Sequence, residues 1–160
     1  MEMRTKTWFL PLSRTGDQIA EVAEQQLRAW GTELTTQQMT QMAVVATAMR
    51  SAIVLCTRSV HLEVTISLSK SNTVTVEMVE RAGAELPKEP LVALDSSDCR
   101  WGVVPKPRGP GCVLWAAVEL HATSRLSDAA TRLARTSQGR ALRRALPAPL
   151  ERTARRWLVA

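Results

Sequence analysis

The chain has 160 residues, 45% hydrophobic and 22% charged; these values fit one globular domain with a short appendage and exclude a wholly disordered chain. Its apolar runs fall far short of the ~20 residues of a membrane helix, no apolar segment follows Glu2, Arg4 and Lys6 as in a signal peptide, and Cys56, Cys99 and Cys112 form no CxxC pair, so a cytoplasmic protein with no membrane partner and no disulfide framework is expected. The net charge of +6 is uneven: residues 1–120 carry 12 Lys or Arg against 13 Asp or Glu, whereas residues 121–160 carry nine Arg against Asp128 and Glu151.

Thr7 to Leu12 reads as a short strand that Pro11 confines to an edge, and Ser13 to Asp17 is turn chemistry. Ile19, Val22, Ala23, Leu27 and Trp30 share one helical face, which predicts a helix over Asp17–Trp30 stopped by Gly31. A second helix is expected from Thr36 to Arg58. Its middle, Met42 to Cys56, is apolar nearly all round, which implies burial between layers.

Near Val60 the period switches from helical to alternating. Leu62, Val64, Ile66 and Leu68, then Val74, Val76 and Met78, interleave with polar residues around the turn Ser69–Asn72, predicting an antiparallel hairpin with one buried face. Arg81 to Pro90 reads as a loop and Leu91 to Ser97 as a short helix. A second hairpin follows, Arg100–Val104 and Cys112–Leu120, joined by a Pro/Gly-rich turn. The expected class is α+β: a two-layer sandwich, mostly antiparallel, with helices on one sheet face. Past His121 the pattern is helical again, giving an arginine-rich extension over 121–160 beyond a domain of residues 1–120.

The stretch Asp98-Cys99-Arg100-Trp101-Gly102-Val103, then Pro105-Lys106-Pro107, a glycine turn and Val113-Leu114-Trp115, resembles the end of actinobacterial histidine-kinase-like ATPase domains. These are relatives of the anti-sigma-factor serine kinases. The order of elements over roughly residues 7–120, including Ala29-Trp30-Gly31 at the end of the first helix, is similar to theirs. The resemblance implies the histidine-kinase/Hsp90-like ATPase fold. It also implies a helix presenting a Glu base and, four residues on, an Mg²⁺-binding Asn; an adenine-binding Asp in a D-x-G setting; and a glycine loop that cradles phosphates.

Placed residue by residue, the family's V-V-S-E-L-V-T-N-A-V aligns on Val44–Ile53, so its Glu falls on Thr47 and its Asn on Ser51. The adenine Asp falls on Glu80, the D-x-G glycine on Ala82 with Gly83 one place late, and the phosphate loop on Lys88-Glu89-Pro90. Every nucleotide position has changed type, and Pro90 lacks the N–H that a phosphate loop uses. One lost hydrogen bond to a charged group costs about 1.5–3 kcal/mol, against about −8 kcal/mol for a micromolar complex. Several such losses leave nucleotide affinity at about millimolar or worse, so no cofactor and no catalytic residue is expected.

Plainer roles are available to each of these residues. Thr47 and Ser51 are small hydroxyls that in helices bond back to the backbone, and Glu80 reads as a loop-edge carboxylate. His61 and His121 have no Cys or carboxylate at metal spacing, so no metal site is expected. Trp101 and Trp115 suit sheet packing; Trp8 and Trp30 suit core or interface. The expected function is a non-catalytic regulatory module of the anti-sigma-factor type that captures a sigma factor or STAS-type antagonist, with a possible homodimer implied by the resemblance. Arg140, Arg143 and Arg144 are the candidate partner-binding residues, through a contact weakened by salt. The alternatives are a divergent ATP-binding serine kinase or ATPase and, more weakly, nucleic-acid binding by the basic extension.

Overall fold

The computed structural model describes residues 3–120, and the expected helical extension, with Arg140, Arg143 and Arg144, lies outside the described residues. The elements run β1 (Arg4–Pro11), α1 (Gly16–Ala29), α2 (Thr36–Val54), β2 (His61–Leu68), β3 (Thr73–Glu80), α3 (Lys88–Asp95), β4 (Arg100–Pro105) and β5 (Cys112–Glu119). The class is α+β, and all four strand pairings are antiparallel, in the order β1-β2-β3-β5-β4. As Pro11 required, β1 is an edge strand.

Alternation decides which face is covered. Leu10 pairs with Leu62, Val64 with Met78, Val76 with Ala116 and Leu114 with Val103. These inward positions, apart from Val103, join Ile19, Ala23 and Leu27 of α1, Met42, Val45, Met49 and Ile53 of α2, and Leu94 of α3 in one core. The helices therefore cover one sheet face, burying side chains worth roughly 1.5–3 kcal/mol each. The other face carries hydroxyl pairs, Thr5 with Ser67 and Thr7 with Thr65. Trp101 packs against the core, whereas Trp115 stands on the opposite face over Gly102 of the adjoining strand. Trp8 and Trp30 are half-buried against the core.

Both long helices begin with a capping box. Thr15 accepts from the Gln18 amide while Gln18 takes the Thr15 amide, and Thr35 and Gln38 repeat the exchange. Replacing Thr15 or Thr35 by alanine is expected to cost about 1 kcal/mol each. The two sites share no partner, so the losses should add, and thermal melts of the single and double variants check this.

Three expectations about the helices need correction. α2 ends at Val54 rather than Arg58, because Cys56 and Thr57 both donate their amides to the Ile53 carbonyl and tighten the chain into the turn toward β2. Nor is α2 buried all round: Val44 is 44% exposed and Thr47 is exposed. The third helix spans Lys88–Asp95 rather than Leu91–Ser97, with Pro87 as its N-cap and Pro90 inside its first turn, where a missing N–H costs nothing. No described helix is long and apolar enough to cross a membrane.

Candidate functional site

The open face of α2 is the floor of a groove. Thr40, Ala43, Val44, Thr47, Ala48 and Ser51 line it, spaced so that they share one side of the helix. The first turn of α1 forms one wall with Asp17, and α3 forms the other with Pro90 and Ala93. Its volume is about 580 Å³, within the range of small-ligand sites.

Gly16 makes the first wall possible. It is buried, and a Cβ there would lie 2.0 Å from the Thr47 hydroxyl oxygen and 2.4 Å from the Thr47 Cα. Only a residue without a side chain lets α1 start this close to α2.

The structure brings Thr47, Ser51 and Pro90 together on this groove and leaves Glu80 and Ala82 out of it. Glu80 is not a loop-edge carboxylate. It is wholly buried at the end of β3, where one carboxylate oxygen accepts the Ala82 amide at 2.5 Å and the other the Gly83 amide at 2.9 Å. Both oxygens are occupied by the protein's own loop, and Ala82 itself is exposed. The expected back-bonding of helix hydroxyls occurs at Thr40, which donates to the Thr36 carbonyl at 2.9 Å. The Thr47 and Ser51 hydroxyls, by contrast, make no such bond among the described residues, although the Ser51 carbonyl accepts the Leu55 amide within the helix.

Electrostatically the groove is spare. Among the described residues Asp17 is its one charged lining residue, and no Lys, Arg or His lines it. A phosphate there would meet a carboxylate and, among the described residues, no cation. The positive end of α1 is already taken: Asp17 sits in its first turn and the Thr15 side chain caps the Gln18 amide. Arg50, one turn from Thr47, is turned away to the β1–α1 connection, donating to the Leu12 carbonyl at 2.6 Å and to the Arg14 carbonyl. Comparisons with protein-family models, curated proteins and solved structures find no match. The site must therefore be read from its own chemistry.

Sequence reasoning did not single out Asp17, Thr40 or Gly16. The signal for Asp17 was present, as an acidic residue two places after a capping Thr, but its arrival at the groove depends on how α1 crosses α2. Among the described residues no three His, Cys, Asp or Glu side chains gather to hold a metal ion.

Cys56, Cys99 and Cys112 are free thiols. Burial raises the pKa of all three. The Glu80 carboxylate raises Cys56 and Cys112 further; a Ser97 hydrogen bond partly offsets the rise at Cys99, where Asp98 and Asp95 also raise it. A raised thiol pKa leaves less thiolate near neutral pH. All three should alkylate more slowly than a free cysteine at pH 7, with rates still climbing above pH 9; timed iodoacetamide labelling read by peptide mass spectrometry tests this.

Proposed function

We propose that this chain is a non-catalytic regulatory protein-binding module of the anti-sigma-factor type. It acts in the cytoplasm on a histidine-kinase-like ATPase scaffold whose nucleotide site has been lost, and captures a sigma factor or a STAS-type antagonist. The observation that carries the reading is the groove itself. Thr47 and Ser51 stand on its floor where the resemblance expects a base and a metal-binding amide, and Pro90 stands on its wall where it expects a phosphate-binding loop. Phosphoryl transfer needs a metal-bridged, charge-neutralised phosphate and a positioned base. A hydroxyl pair beside one carboxylate, with no cation among the described lining residues, does not neutralise a phosphate.

Glu80 supports the same reading from outside the groove. Where a family member would offer an Asp to adenine, Glu80 spends both oxygens on the Ala82 and Gly83 amides. Ala46, Ala48, Met49 and Ala52, which the resemblance aligns with packing positions of the family's helix, are buried in the core, and their burial supports a scaffold kept without its chemistry. Scaffold retained with chemistry removed points to binding as the function.

The arginines of the extension, with Arg140, Arg143 and Arg144 clustered in sequence, suit an acidic protein surface through bidentate carboxylate pairs and would speed capture in a salt-dependent way. The test is retention of a purified sigma factor or STAS-domain protein on the immobilised full chain, with and without ATP and Mg²⁺. The reading expects retention that nucleotide does not change and that salt weakens. Failure to retain either class of protein at low salt would sink it.

A further inference from the structure

We infer that the α2 groove receives a helix from the partner protein, about three turns long, apolar along one stripe and basic where it meets Asp17. This rests on the protein-binding reading above and names the surface that does the binding.

Length is the first support. The floor runs from Thr40 to Ser51, eleven helical steps or about 16 Å, which is the length of three turns of a helix laid alongside α2.

The floor is also the right shape. Ala43, Thr47, Ala48 and Ser51 are small, so a second backbone can approach at the close end of the usual 8–10 Å between packed helices. Among them Val44 projects, 44% exposed in the middle of a helix whose opposite side is core. α1 and α3 flank this strip with Asp17, Pro90 and Ala93, so the strip is a trough. An amphipathic helix laying apolar residues at i, i+3, i+4 and i+7 into such a trough is a recurring mode of recognition.

Charge then selects the kind of helix. Among the described residues Asp17 is the one charged residue lining the groove; Glu21, exposed one turn further along α1, stands outside the lining. No Lys, Arg or His is among the described lining residues to balance Asp17. A Lys or Arg on the incoming helix would pair with Asp17; an acidic helix or a phosphate would be repelled by it.

The probe is a fluorescein-labelled 14-residue peptide of Leu, Ala and Lys with Leu at helical spacing. A version with Glu for Lys and a scrambled version without an apolar stripe serve as comparisons. Anisotropy titrations against the full chain should show the Lys peptide preferred. Val44→Arg, whose new side chain can reach solvent and should leave the melting temperature near that of the parent, should weaken it about tenfold or more. Asp17→Lys should weaken it several-fold and reverse the preference between the Lys and Glu peptides.

Equal affinity for the parent chain and Val44→Arg, or for the striped and scrambled peptides, would overturn the inference. Amide shifts on the open sheet face rather than on α2 would overturn it as well. Retention of a sigma factor or STAS-domain protein separates the two levels. If Val44→Arg retains the protein as well as the parent does, the groove is not the docking surface and the protein-binding reading stands. If the parent retains neither protein, that reading falls, while the peptide titration still decides the groove.

Discussion

Gly16→Ala is expected to destabilise the domain by about 2–3 kcal/mol, the upper part of the range for overpacking a core. The sign is what makes the variant informative. In a helix, glycine to alanine ordinarily stabilises by roughly 0.5–1 kcal/mol, because the chain loses less entropy on folding. Here the added methyl would meet the Thr47 hydroxyl at 2.0 Å, its Cα at 2.4 Å and its amide nitrogen at 2.5 Å.

Two of those three contacts are with backbone, so no rotamer change at Thr47 relieves them. α1 would have to lift from α2, loosening Ile19, Ala20 and Ala23 in the core and moving Asp17 out of the groove. Urea unfolding followed by tryptophan fluorescence measures the loss. Adding Thr47→Ala should recover only a part, since it removes the hydroxyl contact and leaves the backbone ones. An unchanged or raised midpoint for Gly16→Ala would show that the helices do not touch as described.

The second large effect is at Glu80. Glu80→Ala removes two hydrogen bonds from a charged acceptor, each worth about 1.5–3 kcal/mol, and empties a wholly buried site. Release of the buried charge from its desolvation cost offsets part of this, so we expect a net loss of about 2–4 kcal/mol. Glu80→Gln keeps the volume and one acceptor but turns an NH₂ group toward an amide donor. It should cost less, and hydrogen exchange at Ala82 and Gly83 should quicken in both variants.

The thiols give an independent check on the same carboxylate. Glu80 raises the pKa of Cys56 and Cys112 but not that of Cys99. In Glu80→Gln the first two should therefore alkylate faster at pH 7 to 8, and Cys99 should not change. Wild-type stability in Glu80→Gln, together with unaltered labelling at all three cysteines, would contradict the placement of Glu80.

The hairpins were readable from the sequence almost to the residue. Strict alternation from Leu62 to Leu68 and from Val74 to Met78 admits only one buried face, and a one-residue slip would turn every apolar side chain outward. The same alternation puts Glu80 on the inward side with Met78, so its burial was visible in principle. The loop reading of Arg81–Pro90 hid this, because the carboxylate's partners are backbone amides of that loop, which no residue type announces.

Helix ends were harder to read. Ile53, Val54, Leu55 and Cys56 continue the apolar pattern although the helix stops, since the turn toward β2 is set by where the sheet lies. Pro87 and Pro90 read as breakers and in fact start α3. At the groove, the four-residue spacing of Thr47 and Ser51 fixed their shared face. That Asp17 would join them follows from a single glycine contact between two helices, a tertiary fact that periodicity does not encode.

Calorimetry of the full chain with ATP and Mg²⁺ tests most directly our proposal that a nucleotide-binding scaffold here serves protein binding. Under that proposal no saturable heat is expected below about millimolar nucleotide, because three or more of the charged contacts that the resemblance implies, worth about 1.5–3 kcal/mol each, are missing from a complex that would otherwise be micromolar. A micromolar dissociation constant would contradict it and return the groove to the nucleotide.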